Sequence, residues 1–436
     1  MAVAAELHTG LQKWPANRPV ERILLVAIWM FLGVNCLALG LVRDDLSLAH
    51  WLPLVIWSVC ALIGKLLLDR YLPGHDPLLF PLAMFLSGWG ILLIDRLLPA
   101  FADRQVAWLG VALVGLLAAS LSSRPLRWLR QYRYLTLVAG LLLLVGTIVL
   151  GTNPSGQAGA PELWLGVGNI FFQPSEALKI ILVAFLSSYL AQHYPMLRAR
   201  RLGEETHGLS LSPRIIGPML LMWGLSVIIL IWQRDLGTAV LFFVVFLVLL
   251  YVASGYRLVA FGGVFLIILA AVIAYNQFGV VRLRVDIWLN PWPEADGRAF
   301  QIVQSLMAFA AGGIGGQGIA QGSPFFIPVA HSDFAFASLA EEWGFLGVVA
   351  VLVSLGTLVV RGMSIAVRQT GQPFHSLVAV GLSSLLGVQS LLIMGGVLKV
   401  LPLTGVTLPF ISYGGSSLLA SFIMIGFLLR LSVSES

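Results

Sequence analysis

Apolar residues along this chain fall into long runs rather than into the short periodic stripes of a soluble fold. Twelve such runs stand out, at roughly 23–42, 51–68, 77–94, 106–121, 134–151, 173–192, 215–232, 238–254, 258–275, 335–360, 376–398 and 407–429, and most reach the length of about 17–25 residues that crosses a hydrocarbon core as helix. Barrel strands alternate apolar with polar positions; these runs do not. The pattern predicts an all-α polytopic membrane protein with about twelve transmembrane helices.

The polar positions between the runs orient it. Arg124, Arg127, Arg130 and Arg133 lie between runs four and five, and Arg198, Arg200, Arg201 and Arg214 between runs six and seven. Arg361 and Arg368 follow run ten. If the helices alternate, all three basic loops share one side, which the positive-inside rule makes cytoplasmic. Both termini then lie inside, and the segment from about 276 to 334, between helices nine and ten, lies outside. That segment is too long for an idle connector and too rich in Trp, Phe and Ile for disorder. The first 22 residues are too polar for a signal peptide, so the first run is expected to stay as a helix.

Composition agrees with the runs: 58% of residues are hydrophobic and 11% charged, with a mean hydropathy of +0.93. A soluble domain is excluded. Orientation accounts for the net charge of +6, so nucleic acid is not implied. Cys36 and Cys60 both sit in apolar runs and read as packing residues. The chain divides into residues 1–76, a tail and a helix pair, and a membrane domain over 77–436. "DRYLPGHDP" (69–77) between them is turn-rich enough to act as a hinge.

Chemistry concentrates at a few places. "NPWPEADGR" sets Glu294, Asp296 and Arg298 among prolines and Trp292 in the outside segment. "FQIVQSLMAFAAGG" after it has helical spacing, with Gln301, Gln304 and Ser305 on one face, and is expected to lie at or dip into the outer leaflet. "FFQPSEALK" puts Glu176 and Lys179 on one face of helix six, as a mutual ion pair or as substrate contacts. "WQRDLGT" holds Arg234 and Asp235, the latter a natural helix cap. "GGIGGQG" (312–318) matches a nucleotide-loop spacing but follows an apolar helix instead of a strand, which favours packing. No Walker motif, H-E-x-x-H or Cys/His cluster is present. His331 stands alone and reads as a structural hydrogen-bonding residue.

Taken in order, QPSE–K, Q-x-DLGT, NPW with following acids, QS-x-x-A, H-S-DF with EE-x-G-x-x-G, and LPLTG-x-TLPF-x-SYGGSS resemble the shape, elongation, division and sporulation (SEDS) family of FtsW/RodA-like proteins. The resemblance spans about residues 77–430, so the family's ten helices correspond to helices three to twelve here. It implies a peptidoglycan glycosyltransferase of the bacterial cytoplasmic membrane that polymerises lipid II into glycan strands by inverting transfer, releasing the polyprenyl pyrophosphate. A class B penicillin-binding protein, a transpeptidase, is the implied partner beside membrane lipids, and small residues such as Gly395 and Gly396 would admit its helix. The family's catalytic Asp falls two residues after the Trp of NPW. Glu294 stands there in this chain and Asp296 two residues later, so either is the candidate base. Leu163 and Ile393 also replace the Arg and Asn common in the family. Arg282, Arg284 and Arg298 would meet the departing pyrophosphate. Glu176, Lys179, Asp235, His331, Asp333, Glu341, Gln301, Gln304, Ser305, Ser412 and Ser416 are the other candidates for binding pyrophosphate and sugar. No nucleotide or tightly bound cofactor is expected; a divalent cation at the pyrophosphate is compatible with the chemistry. The rivals are a flippase for the same precursor and a non-catalytic scaffold for a crosslinking enzyme.

Overall fold

The computed structural model describes residues 18–153, 162–168, 170–201, 213–233 and 235–433. Each apolar run contains a helix: α1 Arg18–Arg43, α2 Leu48–Tyr71, α3 Leu79–Leu97, α4 Pro99–Leu121, α6 Arg133–Leu150, α7 Pro174–Arg201, α8 Pro213–Trp232, α9 Leu236–Ser254, α10 Arg257–Gln277, α13 Ala335–Arg368, α14 Pro373–Val397 and α15 Gly415–Ser432. Among the described residues eleven are long and apolar enough to span a membrane, and Trp223–Trp232 of α8 is a shorter apolar stretch. Three further helices lie in the connections: α5 Arg124–Gln131, α11 Gly279–Leu289 and α12 Phe300–Gly312. A small hairpin, β1 Leu165–Val167 antiparallel to β2 Ile170–Phe172, precedes α7.

Alternation puts the hairpin, the 278–334 segment and residues 398–414 at one face of the bundle. The α4–α6 turn with its arginines and the α2–α3 and α13–α14 connections lie at the other; residues 202–212 of the second basic loop lie outside the described residues. Helices α4 and α15 approach closely because Gly426 carries no side chain; a Cβ there would lie 2.5 Å from Leu116 O. In contrast, α10 buries only Gly263 and faces outwards along nearly its whole length.

Two expectations change. The last helix begins at Gly415, not near 407, because the preceding stretch cannot coil. Pro402 and Pro409 lack an N–H, Gly405 and Phe410 have φ of +75° and +68°, and Ser412 Oγ takes the Leu408 N–H at 3.0 Å. Nor is the 69–77 turn a free hinge. Asp76 is wholly buried, accepts from Arg361 Nε at 2.8 Å, and its N–H donates to Ser432 Oγ at 3.0 Å. The N-terminal pair is likewise built into the bundle. Trp57 Nε1 donates to Met84 O (3.0 Å), and Trp343 Nε1 donates to Asn35 Oδ1 (3.0 Å).

The glycine-rich motif has a structural use. Gly344 breaks α13 with φ +63°, ψ −160°. Breaking a helix in hydrocarbon frees backbone groups that need partners from protein. The Phe345 and Leu346 N–H groups donate to Gly313 O and Ile314 O at 2.9 and 3.2 Å, while Gln317 and Gly318 N–H return bonds to Glu341 O and Glu342 O at 2.9 and 3.1 Å. Only glycine permits this seam: a Cβ on Gly316 would collide with Glu342 O. The motif is packing, as its context implied.

Candidate active site

Helix α11 sorts its charges by position. Successive residues turn through about 100°, so i and i+4 share a face while i and i+2 nearly oppose each other. Arg282 and Asp286 therefore face one way. With Asn290, Pro293, Glu294 and Arg298 they line a cavity of about 410 Å³ at the end of the bundle that carries the long segment. Arg284 faces the other way, donating to Thr404 O at 3.3 Å within the field of Asp333 and Asp235. The three arginines expected to act together are thus divided.

Glu294 ends a short 3-10 turn, Trp292–Glu294, whose carbonyl accepts from Gly297 and Ala299 N–H at 3.0 and 3.1 Å. The closed turn brings Arg298 over it: Nη2 meets Oε1 at 2.5 Å and Nε meets Oε2 at 3.1 Å. The side chains stay 41% and 63% exposed. Hydrogen bonding from Arg298 holds the Glu294 carboxyl below the usual carboxylate range. Glu294 is solvated and paired, because it lies on an outer turn instead of between helices. Asp296 is exposed at the tip of the same turn, outside the cavity lining. Across the cavity, Tyr275 Oη donates to Asp286 Oδ1 at 3.0 Å, and Arg282 donates to the carbonyls of Tyr275 and Asn276.

A second cluster lies deeper. Glu176 and Lys179 pair at 2.8 Å, both buried. Lys179 Nζ also donates to Gln389 Oε1 (2.9 Å), Gln389 Nε2 to Thr407 O (2.8 Å), and Thr407 shares a 2.7 Å hydrogen bond with Ser417. Asp235 caps α9 through Thr238 N–H at 3.2 Å, as its sequence implied, and burial raises its carboxyl. Its Oδ2 and Thr404 Oγ1 are shielded from solvent and have no hydrogen-bond partner among the described residues. Burial also raises Asp333, against the pull of the Ser332 hydroxyl and Arg284.

The remaining candidates hold the structure at this end. His331 packs edge-on against Phe101 and Tyr413, at 5.2 and 5.7 Å between centroids, and burial lowers its pKa, which favours the neutral ring. Ser412 Oγ donates to Ser332 O at 2.6 Å. Glu341 Oε1 accepts the Ser323 N–H at 2.8 Å, and Arg96 pairs with Glu342 at 3.1 Å. Ser305 ties α12 to Val397 O at 3.0 Å, Gln301 and Gln304 stay half-buried beside it, and Ser416 is buried at the start of α15. A Cβ on Gly395 or Gly396 would meet Leu401 or Leu403 of the same chain, so these glycines serve packing within it. Arg234 lies outside the described residues.

Asp286, Gln389, Thr407 and Ser417 were missed in the sequence. Asp286 stands four residues after Arg282 on a helix that had not been delimited. Gln389 is a lone polar side chain inside an apolar run, a costly placement that signals a partner. On the opposite face, Glu21, Asp69 and His75 have the spacing of metal ligands. Lys65 Nζ lies 2.5 and 2.6 Å from Glu21 and Asp69 there, so an ammonium supplies the cation they need.

Fold and site together define a polytopic helical membrane protein with a charged cavity at one end and a buried polar cluster beneath it. A family model described as a cell cycle protein, FtsW/RodA/SpoVE, matches residues 79–436. The chain belongs to that family. It is 37% identical over 382 residues to the peptidoglycan glycosyltransferase RodA of Mycobacterium tuberculosis, covering 85% of this chain and 80% of that one. It is 33% identical to stage V sporulation protein E of Bacillus subtilis, covering 76% and 87%. Among solved structures, a chain from work on the structural coordination of polymerization and crosslinking by a peptidoglycan synthase complex superposes with a TM-score of 0.68, at 28% identity, covering 82% of this chain and 97% of that one. The family match begins where α3 begins, leaving α1 and α2 outside it.

The deep cluster generates a test. Lys179→Met leaves the Glu176 carboxylate buried and unpaired, and is expected to destabilise the protein by about 3–5 kcal/mol. Adding Glu176→Gln should restore most of the loss, measured by thermal unfolding in detergent. A single variant as stable as the parent would show that the pair does not carry this charge balance.

Proposed function

We propose that the cavity between α11 and the Glu294 turn is where this chain, a peptidoglycan glycosyltransferase, joins lipid II units. Its polar face is taken as the outer face of the bacterial cytoplasmic membrane, with both termini inside. The observation that carries the reading is the juxtaposition in one open cavity of two carboxylates, Glu294 and Asp286, with two guanidiniums, Arg282 and Arg298. Glycosyl transfer from a lipid pyrophosphate needs both kinds of group. An acceptor sugar hydroxyl attacks the donor's anomeric carbon from the face opposite the pyrophosphate, and inversion follows. The new C–O bond forms as the bond from carbon to the pyrophosphate oxygen breaks. The hydroxyl proton passes to a carboxylate, and the bonding pair leaves with the pyrophosphate, whose charge the guanidiniums meet.

Glu294 is assigned as the base: it lines the cavity at the place of the family's carboxylate, whereas Asp296 is exposed and not part of the lining. The deep cluster supports the site indirectly by fixing the loops above it. No resident cofactor is assigned; a divalent cation would arrive on the pyrophosphate. A flippase reading finds less support, because the deep acids and Lys179 are engaged with their own neighbours in place of lining an open path. Removing the base by Glu294→Gln should reduce polymerisation of purified lipid II by roughly 100-fold, with Asp296→Asn doing less. Full activity of the Glu294 variant would exclude the assignment.

Orientation is directly testable, since the native Cys36 and Cys60 are buried. Ser323→Cys should be labelled by an impermeant reagent in intact cells and Ser122→Cys should not. Labelling of Ser122→Cys alone would invert the protein and remove the site from its substrate.

A transpeptidase partner is proposed to lay its transmembrane helix along α13. Leu346, Val353, Val360 and Val367 recur there every seven residues, all exposed. A Cβ on Gly356 in the same stripe meets nothing within 4 Å, which would permit close helix approach. Gly356→Leu should leave folding intact while reducing co-purification of the transpeptidase; unchanged recovery would place the partner elsewhere.

A further inference from the structure

We propose that Arg298 is a substrate-operated lock on Glu294: it holds the carboxylate while the cavity is free of donor, and releases it when a pyrophosphate takes the guanidinium. The inference rests on Glu294 being the base and adds an order to its use.

Geometry supports the lock first. Both carboxylate oxygens of Glu294 receive a hydrogen bond from one guanidinium, at 2.5 and 3.1 Å. Hydrogen bonds to the charged form favour it and so weaken the base. The pair is also ready to open. It lies in water on the cavity wall, where ion pairs add little stability, and its arginine is the more exposed partner. A pyrophosphate offers that arginine more charge than a single carboxylate and the same two-pronged geometry. Arg298 would then follow the negative charge, leaving the carboxylate free to receive a proton.

The identity of residue 294 suits it to the lock. Across the four-residue spacing, glutamate's extra methylene lets its carboxylate meet the guanidinium of residue 298 face to face. An aspartate on the same turn ends one bond short of that position. The substitution of Glu for the family's Asp thus coincides with a neighbour able to clamp it.

Other charges bear on Glu294 from the elements around it. Arg282 and Asp286 face it from α11, with Tyr275 of α10 bonded to Asp286. Lys399 Nζ lies against Leu289 O at 3.4 Å behind the same helix end. Of these, only Arg298 bonds Glu294 directly among the described residues. The functional consequence is sequential use: donor pyrophosphate binds, Arg298 transfers, and only then can the acceptor hydroxyl be deprotonated.

The test compares pH profiles for polymerisation of purified lipid II. The acidic limb of kcat/KM reports the free enzyme and that of kcat the substrate complex. With the lock, the kcat/KM limb lies at lower pH than the kcat limb in the parent protein. Arg298→Gln should shift the kcat/KM limb up to meet the kcat limb, and lower kcat by about 100-fold because the guanidinium no longer meets the leaving group. Coincident limbs in the parent, or a kcat/KM limb unmoved by Arg298→Gln, would overturn the lock. Glu294→Gln separates the two ideas: if it polymerises at the parent rate, the base assignment itself falls, whereas an inactive Glu294→Gln with unmoved limbs removes the lock alone.

Discussion

Backbone that is not helical cannot face hydrocarbon, because each unpaired N–H or C=O there costs several kcal/mol. The segment 398–414 lies within the bundle end under this constraint, and the surrounding elements are arranged to meet it. Thr404 O takes Arg284 of α11, Thr407 O takes Gln389 of α14, and the Tyr413 N–H reaches His331 O. Gln105 of α4 bonds both Ser412 O and the Gly414 N–H. One irregular strap thereby ties α4, α11, α14 and the 331–333 turn together. Gly237 must be glycine for the same reason, since a Cβ there would collide with Thr404 O.

This arrangement connects the deep polar residues to the outer cavity through α11, although the two share no surface. Arg284 spends its charge on the strap and the neighbouring acids, which anchors α11. Anchored α11 then presents Arg282 and Asp286 to the cavity from its other face. The buried polar layer around Lys179 thus lies beneath the solvated Glu294–Arg298 pair. The kink at Gly344 applies the same principle to α13, where the glycine loop supplies the partners that the broken helix lacks.

Much of the frame was legible from residue order. All twelve helices follow from run length, because hydrophobic thickness sets helix length almost independently of neighbours. The family follows from motifs whose spacing survives intact, above all LPLTG-x-TLPF-x-SYGGSS. Local signals were equally readable: Asp235 caps its helix, and GGIGGQG packs. The start of α15 was misjudged because hydropathy does not distinguish an apolar helix from an apolar strap; the prolines and the two left-handed residues decide it. Grouping Arg282 with Arg284 and Arg298 failed for a similar reason, since closeness in sequence is not closeness on a helix face.

By itself, then, the sequence determined a polytopic helical membrane protein and its family, because these depend on composition, run length and motif spacing. Only the tertiary structure decided that Arg284 serves the buried layer and that Asp286 joins the cavity. It alone showed Glu294 held by Arg298 in solvent. Those facts depend on which faces of α11, α14 and the 398–414 strap meet. Such faces are set by packing and by the demand that every buried polar atom find a partner, and no local pattern of residues encodes them.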